Sequence, residues 1–358
     1  MQSPEPALSS DARRAAATLD VAVVIVTYKS ASLTLDCLRS VQQERATPEL
    51  RIRAIVVDNA SGDASVIEQA VTAHGWSDWV TVVRAPLNGG FAYGNNLGLY
   101  HACTERSPDY VYLLNPDTQV RAGAIGALAR FLEAHPDVGI AGSSLENPDG
   151  SDWPFAFRFP SVISELIYGV NLGVITKILE PWHVPKRMGK HSEAVDWVSG
   201  ASLMVRAEVF TAIGGLDEHY FLYFEETDFC RRARKAGFTT WYVPNSRVMH
   251  IGGQSTGSVS SAQMRRLPGY WFESRRRYFV ASFGVPLAMA IDAVSICAQS
   301  LGLAKRHLQG RQHTTTPYFI RDLICHSVLW PRNRSNAAAK NSNPCIQTAT
   351  QRTKVPAT

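Results

Sequence analysis

Carboxylates crowd one short stretch of this chain more than any other. In YFLYFEETDFCRRARKAG, residues 220–237, Glu225, Glu226 and Asp228 open a helical pattern whose later turns hold Arg231, Arg232, Arg234 and Lys235. Acid first and base last complements a helix dipole, so a structural role is open. Three carboxylates in four residues beside a run of aromatics nevertheless exceed what capping needs. Crowded like charges raise one another's pKa, and a carboxylate with a raised pKa is a usable general base.

Other reactive groups stand at the ends of apolar runs. LLNPD delivers Asp117 into a turn fixed by Pro116. A carboxylate there suits Mg²⁺ or Mn²⁺, hard cations that take oxygen ligands and substrate phosphates; an Asx-type turn is the structural alternative. His250, in VPNSRVMHIGG, is a lone histidine of the kind that is usually structural. Set against Asp117, it could complete a metal shell, because imidazole and carboxylate both bind Mn²⁺-like ions. Asp58 closes IVVDNAS, where it could accept a hydrogen bond from the N3–H of uracil or thymine. It could equally cap the next helix, although Ser61 and Asp63 lie closer to that job. LNGGFAYGNNLG sets Gly89 and Gly90 before a helix, which lets backbone N–H groups approach a phosphate or sugar.

The elements that position these groups alternate. VAVVIVT, residues 21–27, is the continuous β-branched run of a strand buried on both faces. A helical stretch carrying Leu35, Leu38 and Val41 follows, then a strand over 52–57, a helix over 64–74 and a strand over 79–84. A helix over 91–105 and a strand over 110–114 complete the alternation. This predicts an open α/β sheet, which binds ligands at the carboxyl ends of its strands. Thr27-Tyr28, Asp58-Asn59 and Asn115-Pro116-Asp117 all fall at such ends. Beyond residue 150 the pattern loosens. It recovers with short strands over 195–205, a helix over 207–213, a charged helix over 226–236 and a strand over 239–243 closed by Pro244.

The charge is divided along the chain. The net +5 combines 22 Lys/Arg against 28 Asp/Glu in residues 1–261 with 14 against 3 in residues 262–358. With 45% apolar residues the chain is neither disordered nor collagen-like. Six scattered cysteines give no zinc or disulfide framework and suit a reducing compartment. Residues 1–19 read as a disordered leader with no apolar core, not a signal peptide. The apolar run 279–303 is long enough to span a bilayer, but Asp292 sits inside it and Gly284 and Pro286 interrupt it. An interfacial helical hairpin is expected instead, with Arg265, Arg266 and Arg275–Arg277 ahead of it attaching to an anionic leaflet. A soluble appendage packed on the preceding domain is the alternative. An NAD-dependent oxidoreductase is disfavoured because TYKSAS replaces the dinucleotide fingerprint after the first strand. The basic tail matches no nucleic-acid-binding module, so no nucleic-acid partner is expected.

In order and spacing, VAVVIVTYKS, IVVDNAS, LNGGFAYGNN, LLNPD, VSGASLMVR, FLYFEETDFCRR and HIGG resemble the family 2 glycosyltransferases, and within them the bacterial rhamnosyltransferase branch. The likeness covers roughly residues 20–260. It implies a single GT-A-type (Rossmann-like) α/β domain with a mixed central sheet; beyond it the residues themselves read as a helical, membrane-associating extension over 261–310 and a basic, partly disordered tail over 311–358. It implies Thr27 and Tyr28 in a nucleotide pocket, Asp58 on the pyrimidine, and Asn88 and Gly89 near the ribose and diphosphate. Asn115 and Asp117 take the DxD position, with Asp117 and His250 on a divalent Mg²⁺ or Mn²⁺. Glu226 is the implied catalytic base, with Glu225 and Asp228 beside it, and Trp197, Ser199 and Gly200 shape the acceptor side. Asn-Pro-Asp supplies one carboxylate where two are usual, which thins the metal shell. The implied reaction is inverting transfer of L-rhamnose from dTDP-rhamnose to a hydroxyl of a lipid-linked glycan, at the cytoplasmic face of the inner membrane or in the cytoplasm. UDP-galactofuranose, UDP-galactose or UDP-N-acetylglucosamine as donor, or a non-catalytic nucleotide-sugar-binding protein, are the alternatives.

Overall fold

A computed structural model describes residues 18–153, 156–170, 178–186, 188–252, 266–309 and 316–330. The β-branched runs form the middle of one mixed sheet. Strand β1 (Leu19–Thr27) pairs in parallel with β2 (Leu50–Asp58) and β4 (Tyr110–Leu114), and β2 pairs in parallel with β3 (Val80–Arg84). Helices α1 (Ala31–Glu44), α2 (Ala64–Ala73) and α3 (Gly90–Glu105) make the connections. Val21 to Ile25 and all of β4 are buried, as strands covered on both faces must be.

The sequence pattern did not single out the segment that extends this sheet. It contains β5 (Thr118–Val120), α4 (Ala124–Ala134) and β6 (Val138–Glu146). A short pair, β7 (Ala156–Phe157) with β9 (Trp197–Val198), lies off the main sheet, and α5 (Val162–Val170) and β8 (Glu193–Val195) lie between its two strands in sequence. Strand β10 (Ser202–Arg206) runs antiparallel between β4 and β6 and leads into α6 (Ala207–Ile213) and α7 (Glu225–Lys235). The main order is β3-β2-β1-β4-β10-β6-β11-β5, with β8 also on β11.

Strand β11 (Thr239–His250) does not end at Pro244. A register shift between Val243 and Arg247 absorbs the proline, because a bulge removes the need for its missing N–H. Its first half pairs with β8 and its second with β5, so the irregularity carries His250 opposite Thr118.

The C-terminal segment packs back onto this domain. Helix α8 (Gly269–Leu308) is, among the described helices, the one long and apolar enough to cross a membrane by length and composition. It is broken at Gly284, whose φ of 78° is left-handed, with Pro286 following. The two limbs, 269–283 and 285–308, fold back on each other: the guanidinium of Arg275 bonds the carboxylate of Asp292, 17 residues on. A straight helix would hold them about 25 Å apart. The second limb crosses α5 where a Cβ on Gly302 would come within 2.1 Å of the Gly169 carbonyl oxygen.

This corrects the role expected of the arginines. Arg275, Arg276 and Arg277 are buried and meet acids and carbonyls inside the protein: Glu165 and Asp292, the His326 carbonyl, and Asp217. They fasten the hairpin to the domain and are not presented to a lipid surface. Arg266 is likewise paired, with Asp322. That aspartate belongs to α9 (Phe319–His326), an ordered helix inside the stretch expected to be a basic tail. The expected leader up to residue 17, Arg265 and the tail beyond residue 330 lie outside the described residues.

Candidate active site

The carboxyl ends of β1, β2 and β4 open onto a cavity of about 570 Å³. Of the expected site residues, Tyr28, Asn88, Asn115, Asp117, Ser199, Gly200, Glu225, Glu226 and His250 line it. Antiparallel pairing of β10 with β4 sets the 199–201 turn beside Asn115, whose N–H donates to the Ala201 carbonyl at 3.1 Å. Chain pairing and the β11 bulge therefore gather residues that are over a hundred positions apart.

Five expected residues are placed elsewhere. Thr27 is fully buried and its hydroxyl bonds Ser30 and Thr34, joining β1 to α1. The Asp58 carboxylate accepts from the Ser61 N–H and hydroxyl and from the Ala64 N–H, so Asp58 itself holds the start of α2 while Asn59 faces the cavity. Gly89 packs on the Tyr93 ring, and Gly90 is the glycine at the cavity wall. Asp228 turns back to Arg232 at 2.7 Å, one helical turn along. Trp197 stacks on Phe157 and lines a second cavity.

Several wall residues lay hidden in the sequence. Asn59 donates to Asn88 Oδ1 and to the Gly90 carbonyl, tying the β2 end to the start of α3. Gly90 (φ 86°) lies so close to the 221 backbone that a Cβ would sit 1.9 Å from the Phe221 carbonyl oxygen. Tyr223 and Phe224, both left-handed at φ 72° and 69°, turn the chain into α7. Non-glycine residues in that region cost about 1–3 kcal/mol each and persist only where their surroundings hold them. Here the holders are rings: Tyr223 stacks on Tyr270 at 6.1 Å, and Phe224 meets Trp271 edge-on at 6.0 Å. Aromatic residues this far apart in sequence carry a core signal as readily as a site signal, which is why the pattern alone missed them.

Glu225, buried, and Glu226, half-buried, start α7. Burial pushes the Glu225 carboxyl well above the usual range, and the neighbouring Glu226 charge adds to it. Burial raises Glu226 as well, opposed by backbone amides at Glu226, Gly200 and Thr227. One Oε2 of each lacks a hydrogen-bond partner within the protein. Glu226, together with Tyr223, also lines the second cavity, about 280 Å³ and walled mainly by aromatic and apolar groups. Glu226 thus belongs to the wall of both spaces.

At the other end of the first cavity, His250 Nε2 is 3.4 Å from Asp117 Oδ1. Both are buried, and His250 Nδ1 has no partner. That spacing is long for a good hydrogen bond, and it suits two ligands about 2.1 Å from one ion. Among the described residues no group of three or more His, Cys, Asp or Glu is placed to hold a metal by itself. The pair would fit a divalent ion if substrate oxygens supplied the remaining ligands.

Comparisons with known proteins agree with this architecture. The chain is 38% identical over 152 residues to the N-acetylglucosaminyl-diphospho-decaprenol L-rhamnosyltransferase of Mycobacterium tuberculosis, covering 42% of this chain and 49% of that one. It is 26% identical to the rhamnosyltransferase WbbL of Escherichia coli over 49% of this chain and 66% of that one. The chain therefore spans about half the length of the first of these curated relatives and just under two-thirds of the second. Among solved structures, GalNAc-T7 with UDP, GalNAc and Mn²⁺ superposes with a TM-score of 0.54 at 15% identity, covering 86% of this chain and 57% of that one. The mannosyltransferase PcManGT from Pyrobaculum calidifontis, in complex with GDP-Man and Mn²⁺, gives 0.50 at 14% over 94% and 88%. These two likenesses show the fold, the GT-A type expected from the sequence. A family model described as glycosyltransferase-like family 2 matches residues 18–269, some seven-tenths of the sequence. The chain belongs to that family.

Proposed function

We propose that the protein is an inverting glycosyltransferase that moves L-rhamnose from dTDP-rhamnose to a hydroxyl of a lipid-linked glycan at the cytoplasmic face of the inner membrane. The observation that carries the reaction type is Glu226, a residue that lines both cavities. A base for direct displacement must reach the acceptor hydroxyl while facing the donor's anomeric carbon. The donor is inferred from what the relatives are: two rhamnosyltransferases and the dTDP-rhamnosyl transferase RfbF of Shigella flexneri, 22% identical over 67% of this chain.

In this reading the donor lies in the larger cavity against Tyr28, Asn59, Asn88 and Asn115. Asp117 and His250 would hold a Mg²⁺ or Mn²⁺ ion, whose charge offsets that of the departing nucleoside diphosphate. Ser199 and Gly200 flank the reacting centre. Glu226 accepts the acceptor's hydroxyl proton as the new C1–O bond forms and the C1–O bond to the diphosphate breaks, inverting the anomeric carbon. Burial and its charged neighbour bias Glu225 toward its protonated form more than Glu226, so the basic role falls to Glu226.

A panel of nucleotide sugars read by nucleoside diphosphate release tests this. Turnover with dTDP-rhamnose, and not with UDP-galactofuranose, UDP-galactose or UDP-N-acetylglucosamine, is the expected result. Turnover with one of the UDP-sugars instead overturns the donor, and silence with all of them overturns the enzyme.

A further inference from the structure

The second cavity is closed on one side by the domain and on the other by the C-terminal hairpin. Trp197 and Glu226 face it from β9 and α7, and Trp271 and Phe319 from α8 and α9, with their rings 5.9 Å apart. Glu165 is the other carboxylate in the wall, and it is taken up by Arg275 and Ser295. Of these two carboxylates, Glu226 is the one left with an oxygen that has no hydrogen-bond partner within the protein. At the outer end stands Tyr168, which is 64% exposed and 6.3 Å from Phe319. Ile163 and Leu166 on α5, Leu301 on the second limb of α8, Tyr318 just before α9 and Ile324 on α9 are also exposed. Exposed apolar side chains mark a binding surface where they adjoin one another. Tyr168 and Phe319, which line the cavity, belong to two of these elements and are in ring contact.

We propose that this chamber is the acceptor site and that it takes an amphiphile: the acceptor sugar lies against Trp197 and Trp271 with its hydroxyl at Glu226, and its apolar tail leaves past Tyr168 and Phe319 across the α5–α8–α9 face. The inference rests on the transfer reaction proposed above and adds the residues that recognise the acceptor. It makes the hairpin part of the active site. Tyr270 and Trp271, consecutive on α8, line the larger and the smaller cavity respectively. The buried Arg275–Asp292 and Arg277–Asp217 pairs lie within two turns of them.

The test uses two acceptors with one head, N-acetylglucosaminyl diphosphate, esterified to farnesol or to methanol, both below micellar concentration. The wild-type protein should show an acceptor KM at least about tenfold lower for the farnesyl compound, since each buried CH₂ contributes about 0.8 kcal/mol. Trp271→Ala should raise KM for both acceptors about tenfold while the donor KM holds, and Trp271→Phe should recover most of the loss. Tyr168→Ser combined with Leu301→Ser should raise KM for the farnesyl acceptor alone. Equal KM values for the two acceptors in the wild type overturn the proposal. So does a Tyr168→Ser/Leu301→Ser protein that keeps its preference for the farnesyl compound but leaves lipid vesicles, which would assign the face to the bilayer itself. Donor hydrolysis without transfer to the farnesyl acceptor also overturns it, with the donor reading intact. No nucleoside diphosphate release under any condition overturns the transfer reaction and this inference with it.

Discussion

His250 Nε2 faces Asp117 Oδ1 at 3.4 Å because the β11 bulge sets His250 opposite Thr118, the residue after Asp117. One carboxylate and one imidazole make a shell that a diphosphate must complete, so ion and donor should bind together. Asp117→Asn keeps the shape and removes the charge. We expect titration calorimetry to show that Mn²⁺ strengthens dTDP binding to the wild type, and that Asp117→Asn loses at least about tenfold of that gain. Unchanged dTDP affinity with and without Mn²⁺ in the wild type would remove the metal role from this pair.

Glu225 and Glu226 both have carboxyls raised by burial, Glu225 further. A raised folded-state value means the native protein holds protons that the unfolded chain has released above a pH of about 4.5. The pair therefore favours the fold at lower pH and loses that contribution as pH climbs through the folded values. Glu225→Gln should flatten this decline, read as a shallower fall of Tm with pH. The same substitution should keep activity within about tenfold of wild type, because Glu225 already works in its neutral form. An activity loss equal to that of a Glu226 variant would contradict the division of roles.

Gly90 at φ 86° has the Phe221 carbonyl oxygen where a side chain would be, and the Phe91 N–H donates to that oxygen at 2.9 Å. Gly90→Ala must break this approach, and we expect a loss of stability of at least about 2 kcal/mol. Denaturant unfolding would show it. Gly123→Ala is the comparison: it is also left-handed, at φ 81°, but nothing lies within 4 Å of its added Cβ. It should cost less.

The Arg275–Asp292 pair is buried on both sides, with Glu165 as a second partner for the arginine. Removing Asp292 leaves part of a buried charge unmatched, and such losses run to about 3–5 kcal/mol. Asp292→Ala should fall near the lower end because Glu165 remains. Its hairpin should detach first, seen as faster hydrogen exchange over 269–308 than over β1 and β4. Uniform exchange along the whole chain would show the hairpin is no separate unit.

Much of this arrangement was legible in the residues. Runs such as VAVVIVT can only be strands covered on both faces, and polar signatures at their carboxyl ends had to converge. Long-range choices were not legible. Pro244 ends a regular strand but not one with a bulge, and nothing local distinguishes the two. Arg275 to Arg277 beside an apolar run look membrane-directed until Glu165, Asp217 and Asp292 are brought to them by tertiary folding. Asp58 seemed farther from the helix start than Ser61 or Asp63, yet the left-handed turn at Ala60 folds its carboxylate onto the Ala64 N–H. The aromatic walls escaped because Tyr223, Phe224, Tyr270 and Trp271 pair across the molecule, and no spacing announces that.

Single-turnover transfer by Glu226→Gln, with donor pre-bound, tests the central claim most directly. The substitution keeps the shape at the wall of both cavities and removes the base. The account predicts transfer slowed by at least about 10²-fold with donor affinity unchanged. Transfer at close to the wild-type rate would contradict it.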